Sequence, residues 1–165
     1  MRVFITVLSI LTLALYTLAS TNSQAGDDRV SKYLLLMQSS LDTSTLLYSR
    51  HSPEVAKMIK NVAVPTDAKS LVECFVDKVK THKLLPEFDE IIQLNSQLQT
   101  YIRETPTLTL ISAQQDTEYM NLQSAISGTR FESVQQHSLD CGLIKMTQQL
   151  IRETGVFDAM KTILN

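Results

Sequence analysis

Glycine and proline are scarce in this chain, with four of each among 165 residues, and most of them stand between apolar segments instead of within them. Because these two residues mark turns and interrupt regular structure, their scarcity is typical of a protein built from helices. Only two cysteines are present, Cys74 and Cys141, so the chain can form at most one intramolecular disulfide. No Asn-x-Ser/Thr sequence occurs, and N-glycosylation is therefore not expected.

Motifs that carry catalysis or bind metal are missing as well. His51, His82 and His137 are far apart in the sequence and do not have the spacing of zinc ligands. The chain has no Gly-x-Ser-x-Gly sequence and no phosphate-binding glycine loop. The acidic residues between Glu87 and Glu90 follow Pro86 and are explained by the start of a helix, where negative charge is favourable. We therefore expect a protein that is not an enzyme and that holds no metal ion and no cofactor.

Clusters of basic residues are also lacking, and the formal net charge at pH 7 is −2. This balance argues against nucleic acid or an anionic membrane as the main partner. The remaining partner classes are a small hydrophobic molecule and an extracellular protein, and the oligomeric state stays open.

The N-terminus has the pattern of a secretory signal peptide. Arg2 precedes an apolar run from Val3 to Leu18 that is short for a membrane span, and small and polar residues follow it. Cleavage after Ala25 fits best, cleavage after Ala19 is the other option, and an uncleaved anchor is the alternative interpretation. No later run is long enough to span a membrane. We expect a secreted, extracellular protein with a signal peptide over residues 1–25 and a single helical domain over residues 26–165.

Whether the two cysteines form a disulfide depends on export of the protein to an oxidising compartment. A secreted protein with two cysteines most simply forms one disulfide, here between Cys74 and Cys141. An intermolecular disulfide and a pair of free thiols are the alternatives.

Apolar residues recur at three- and four-residue steps over most of the chain, which is the period of an amphipathic helix. The pattern predicts an all-α fold, a compact bundle of about seven to eight helices. In the first part of the chain, the pattern predicts a bend between Ser39 and Thr45, a new helix start at Ser52-Pro53 and a helix around Cys74 capped by Thr66-Asp67. A break at Leu84-Leu85-Pro86 then leads into a helix that ends at Thr105, and a loop follows from Thr107 to Ile111. The remaining predicted helices run from Ser112 to Ser127, from Thr129 to Thr154 with a bend at Gly142, and from Val156 to Leu164.

The two halves of the predicted domain, 26–95 and 96–165, resemble each other. Each half carries a cysteine followed after a break by a phenylalanine, Cys74 and Phe88 in the first half and Cys141 and Phe157 in the second. A diverged duplication is one explanation.

The segment from Pro65 to Asp77, together with the proline break and the segment from Phe88 to Leu94, resembles the third and fourth helices of secretoglobins, the family of uteroglobin-like and mammaglobin-like proteins. The segment from Cys141 to Leu150 is similar to the same point in a second copy. The resemblance implies two four-helix units in one chain around an enclosed apolar cavity. The disulfide between Cys74 and Cys141 would then replace the one that joins two secretoglobin subunits.

The apolar helix faces have two interpretations. They form an ordinary packed core, which needs no ligand, or some of them line a ligand cavity, for which flexible methionines are suitable. The candidate cavity-lining residues are Tyr33, Met37, Phe75, Phe88, Ile92, Tyr101, Phe131, Met146 and Phe157. The predicted function is a secreted carrier or sink for small hydrophobic ligands, and the alternative is a cytokine-like helical bundle that acts as an extracellular protein ligand.

Overall fold

The structure is a computed structural model that describes residues 28–62, 65, 67–153, 155, 158 and 159. These residues form helices and connecting turns without a β-strand, so the predicted all-α class is confirmed. The predicted signal peptide, the cap residue Thr66 and the candidate lining residue Phe157 lie outside the described residues, as does most of the predicted last helix.

The α-helices are α1 (Asp28–Ser49), α2 (Pro53–Lys60), α3 (Ala68–Thr81), α4 (Leu85–Glu104), α5 (Thr117–Ile126), α6 (Glu132–Asp140) and α7 (Leu143–Glu153), with short 3-10 turns at Ser112–Gln114 and Thr129–Phe131. Helices α6 and α7 meet at Cys141-Gly142. The sequence predicted one bent helix from Thr129 to Thr154, and the structure has two helices there.

The break between α6 and α7 has a clear backbone cause. Gly142 has a φ of 82°, in the left-handed region that side chains disfavour, and its N–H donates to the carbonyl of Leu139. The predicted bend at Gly142 is therefore a helix end, and Cys141 is a C-cap residue instead of a residue within a helix.

Helix α1 contradicts the predicted bend between Ser39 and Thr45, because it is continuous to Ser49. The hydroxyl groups of Ser40 and Thr43 donate to the carbonyls one turn earlier, at Leu36 and Ser39, with distances of 2.9 and 2.5 Å. Serine and threonine disfavour a helix because their hydroxyl groups can hydrogen-bond to the backbone in non-helical conformations. In α1 the hydroxyl groups of Ser40 and Thr43 bond to the backbone of the helix itself.

Two groups of buried side chains make up the core. The first core cluster comprises Tyr33, Leu36, Met37, Ala68, Val72, Phe75, Val76, Val79, Phe88, Ile91, Phe131, Val134, Cys141 and Leu143. The second core cluster comprises Leu41, Leu47, Tyr48, Val55, Ala56, Ile59, Leu98, Ile102, Leu108, Leu110, Ala113, Tyr119, Ile126 and Ile151. Each cluster takes side chains from both predicted half-repeats.

Helices α1 and α4 connect the two clusters. The first half of each helix contributes to the first core cluster and the second half to the second core cluster. The two helices are parallel, because Arg29 pairs with Asp89 at their starts and Gln99 bonds to Leu36 further along. Residues midway along α1 and α4 therefore face each other at the boundary between the clusters.

Arg50, just after α1, holds the end of α4. Its Nη1 donates to the carbonyls of Ile102, Thr105 and Leu108 at 3.1, 2.9 and 3.0 Å. The last carbonyls of a helix have no partner within the helix, and a positive charge there is favourable.

We expect Arg50→Met to lower the free energy of unfolding by about 2 kcal/mol, because three part-buried carbonyls lose a charged donor. Arg50→Lys, which keeps the charge and several donors, should lose less than half as much. Urea denaturation followed by circular dichroism measures both changes. An equal loss in the two variants would show that these hydrogen bonds do not cause the effect.

Candidate functional site

The structure brings most of the predicted cavity-lining residues together. Seven lie in the first core cluster or pack against it: Tyr33, Met37, Phe75, Phe88, Ile92, Phe131 and Met146. Tyr101 lies apart from them, against the second core cluster, and its hydroxyl donates to the Asp116 carboxylate.

The aromatic members of this group fill the space between one another. The rings of Tyr33, Phe75 and Phe88 contact pairwise, with centroid distances of 5.3, 5.6 and 5.5 Å. Phe88 and Phe131 are completely buried. Edge-to-face and offset contacts at these distances are typical of a packed core. The prediction that these residues line a ligand cavity stays a prediction, and an opening is found elsewhere.

A small pocket lies between α1, α4 and α5, where the two core clusters meet. We call it the inter-helix pocket; its volume is about 20 Å³, and it is lined by Ser40, Thr43, Ser44, Asn95, Leu98, Gln99, Ile102 and Gln123. Leu98 and Ile102 supply buried apolar side chains, and Gln123 is only half-buried, so it stands at the mouth. Its wall combines apolar side chains with a few polar groups, and its volume is about that needed by one water molecule.

Most polar groups on the wall are held by the protein itself. The amide nitrogen of Gln99 donates to Ser40 Oγ at 2.6 Å and to the Leu36 carbonyl at 3.2 Å. The amide nitrogen of Asn95 donates to the Ile91 carbonyl at 2.8 Å. The two Gln99 bonds hold α4 against α1, whereas the Asn95 bond stays within α4.

Ser44 is the exception on this wall. Its side chain is buried, with 1% of the residue exposed, and its hydroxyl has no hydrogen-bond partner in the protein. Leaving a buried hydroxyl unpaired costs about 1–3 kcal/mol, and such a group in a native protein calls for an explanation. The pocket does not reach this oxygen, which is buried almost completely.

Two buried phenols lie in the neighbouring second core cluster. Burial raises the pKa of Tyr48, and its proximity to Tyr119 raises that pKa further. Burial also raises the pKa of Tyr119, and the nearby Gln123 side chain opposes this shift. The Tyr119 hydroxyl has no hydrogen-bond partner within the described residues.

Ser40 and Ser44 allow a sharp comparison, because both are buried and lie one turn apart in the middle of α1. We expect Ser40→Ala to lower the free energy of unfolding by about 1 kcal/mol, since Gln99 loses a buried acceptor. Ser44→Ala should leave stability unchanged or raise it by about 1 kcal/mol, because an unpaired buried hydroxyl is removed. The gain in helix propensity is the same in both variants.

Urea denaturation of the protein purified free of ligand measures the two Ser→Ala changes. A loss in Ser44→Ala as large as that in Ser40→Ala would show that the Ser44 hydroxyl is paired in solution, against the structure.

Apart from the pocket, three contacts join α3 to the end of α6. They follow one another in antiparallel order along the two helices. The contacts are the disulfide Cys74–Cys141, the ion pair Lys78–Asp140 at 3.5 Å and the ring contact His82–His137 with centroids 4.3 Å apart. A hydrogen bond from Gln136 and the nearby Lys78 ammonium hold the pKa of the Asp140 carboxyl below its ordinary value. The disulfide predicted from the sequence is therefore present. Together the three contacts hold α3 and the end of α6 to each other beside the first core cluster.

The inter-helix pocket was not predicted, although the spacing of polar residues in the sequence could have indicated it. Ser40 and Ser44, and Asn95 and Gln99, are pairs four residues apart on the inward faces of α1 and α4. Polar pairs at helical spacing within an apolar face mark a place where two buried helices meet through polar groups.

Among the described residues, no group of three or more His, Cys, Asp and Glu side chains is arranged to hold a metal ion. None of the helices in this part of the chain is long and apolar enough to cross a membrane.

Comparison with models of protein families, with curated proteins and with solved structures gives no match. The resemblance to secretoglobins therefore rests on the sequence motif alone.

Proposed function

We propose that the protein is exported and acts as a carrier or sink for small hydrophobic molecules. The inter-helix pocket is the observation that carries this proposal. Leu98, Ile102 and Ser44 line its wall, and its mouth is formed by a half-buried Gln123. A disulfide between α3 and the end of α6 would keep such a carrier folded outside the cell.

The experiment is mass spectrometry of the small molecules that co-purify with the protein secreted from its native tissue. We expect an apolar molecule bound at about one per chain. A variant tests the site: Ser44→Val adds two methyl groups to the pocket and removes its free hydroxyl. The control is Ser96→Val, the same change at an exposed position of α4.

The carrier at this site is supported if Ser44→Val loses the molecule and Ser96→Val keeps it. The proposal fails if the native protein carries nothing, and its site is wrong if both variants keep the molecule. N-terminal sequencing of the same secreted protein tests the signal peptide, with a mature chain that begins at Gly26 as the expected result.

A cytokine-like protein ligand is the second candidate. The observation that favours it is the filled first core cluster, together with Leu35 on α1, of which 68% is exposed. Saturable binding of the labelled protein to cells of its native tissue, weakened by Leu35→Glu and unchanged in Ser44→Val, would favour this function over the carrier.

A further inference from the structure

The turn that follows α4 carries a threonine at its exposed tip. Residues 105–108 form a β-turn, in which the Leu108 N–H donates to the Thr105 carbonyl at 3.0 Å. Pro106 is the second residue of this turn, where its fixed φ is favourable, and Thr107 is the third. Both are exposed, whereas only 2% of Leu108 is exposed. The turn therefore presents Thr107 at the surface.

The two ends of this turn are held by the rest of the fold. Arg50 donates to the carbonyls of Thr105 and Leu108 at 2.9 and 3.0 Å. The side chains of Leu108 and Leu110 belong to the second core cluster. An enzyme that acts on Thr107 would therefore meet an ordered, non-helical segment at the surface and would not need to unfold a helix. Exposed loop tips are the places where other enzymes most easily reach a folded chain.

The hydroxyl group of Thr107 differs from the others that lie outside helices. The described serines and threonines outside the α-helices and 3-10 turns are Ser52, Thr105, Thr107, Thr109 and Ser127. Ser52, Thr109 and Ser127 use their hydroxyl groups in hydrogen bonds, and Thr105 is half-buried. Within the part of the chain that the structure describes, only Thr107 of this group is both exposed and free of a side-chain hydrogen bond.

The sequence around this hydroxyl indicates the kind of modification. Thr105, Thr107 and Thr109 surround Pro106, and threonine close to proline is typical of O-glycosylated segments in secreted proteins. The chain has no Asn-x-Ser/Thr sequence, so a sugar could not be attached through the N-linked route. An exposed turn also leaves room for a bulky group, because nothing in the core has to move.

We propose that Thr107 is an O-glycosylation site that carries a glycan beginning with an N-acetylhexosamine. The donor is a nucleotide-activated sugar of the secretory compartment. The Thr107 oxygen bonds to the anomeric carbon of the sugar, the bond from that carbon to the diphosphate breaks, and the hydroxyl proton is released as the nucleoside diphosphate leaves. This inference rests on the export that is part of the proposed function, and it does not depend on the carrier activity.

The experiment is peptide mapping of the full chain secreted by cells of its native tissue, with N-terminal sequencing of the same sample. Trypsin releases residues 104–130 as one peptide, because the next basic residue after Arg103 is Arg130. We expect this peptide to carry an N-acetylhexosamine, and fragmentation that preserves the sugar should place it on Thr107. Thr107→Ala should lose the sugar. The matched control is Thr117→Ala, at an exposed position of α5 in the same peptide, and it should keep the sugar.

The outcomes separate this inference from export. A secreted chain that has lost its signal peptide but carries no sugar on this peptide overturns the inference and leaves export standing. A sugar on Thr105 or Thr109 with Thr107 unmodified also overturns it, as does a phosphate on Thr107 or an equal loss of sugar in Thr117→Ala. If the chain stays inside the cells with residues 1–25 attached, export fails together with this inference. Mapping of the native chain needs no variant, so it decides the matter even if Thr107→Ala does not fold.

Discussion

Removing the disulfide by the double change Cys74→Ala and Cys141→Ala is expected to lower the free energy of unfolding by about 4 kcal/mol. The bond joins residues separated by 67 positions, so it restricts a long loop in the unfolded chain. A restriction on the unfolded state raises the relative stability of the fold by an amount that grows with loop length. Urea denaturation of the oxidised protein and of the variant measures the difference.

The control is the wild-type protein unfolded with a reducing agent present, which breaks the bond without changing either side chain. We expect it to lose nearly as much stability as the double variant, since Cys74 is exposed and alanine at the 6%-exposed Cys141 removes only one sulfur atom. A loss below about 1 kcal/mol in both experiments would contradict the loop argument. Peptide mapping without reduction should show the segments around Cys74 and Cys141 linked within one monomer.

The sequence predicted the helical class because the helix-forming signals are local. Ser52 and Pro53 begin α2, and the Ser52 hydroxyl accepts from the Val55 N–H at 3.5 Å. The apolar period around Cys74 likewise predicted α3. Each signal needs only the residues of one helix, so it can be found without knowledge of the tertiary structure.

The continuity of α1 could not be predicted in the same way. Ser39 to Thr45 is a weak helix segment by composition, and the sequence therefore favoured a bend. The fold overrides this weakness because Ser40 faces Gln99 of α4, 59 residues away, and accepts its amide hydrogen. Tertiary contacts routinely decide such segments, and only the packed structure identifies the partner.

The inter-helix pocket was missed for a related reason. Large apolar and aromatic residues drew attention to the first core cluster, but Tyr33, Phe75 and Phe88 pack against one another. The space that remains lies beside small residues such as Ser40 and Ser44, which do not fill the gap between α1, α4 and α5. Composition favours the residues that fill a core, whereas a pocket forms where the residues are too small to do so.

Alkaline unfolding is the second large expected effect, and it comes from buried phenols. Burial raises the pKa of Tyr33, Tyr48 and Tyr119 above the ordinary value of 10. Above pH 10 the unfolded chain loses these protons while the folded chain keeps them, so the free energy of unfolding falls as the pH rises. Above pH 10, three phenols should lower the free energy of unfolding by about 4 kcal/mol per pH unit. Below pH 10 they are protonated in both states and cause no pH dependence.

The measurement combines circular dichroism with absorbance at a wavelength that detects tyrosinate. In the chain that begins at Gly26, which lacks Tyr16, we expect tyrosinate to appear only as the helices unfold, because the pKa of Tyr101 is also raised, chiefly by its hydrogen bond to the Asp116 carboxylate. Tyrosinate formation in a fully helical protein near pH 10 would show that the phenols are accessible and would contradict the burial argument.

Tyr48→Phe isolates the contribution of one phenol from the lysines that titrate in the same range. The Tyr48 hydroxyl is buried without a hydrogen-bond partner, so its removal should leave stability at pH 7 unchanged or slightly increased. The slope of the free energy of unfolding above pH 10 should fall by about 1.4 kcal/mol per pH unit, which corresponds to one proton. An unchanged slope would mean that Tyr48 ionises in the folded chain. Water would then have to enter the second core cluster near the end of α1.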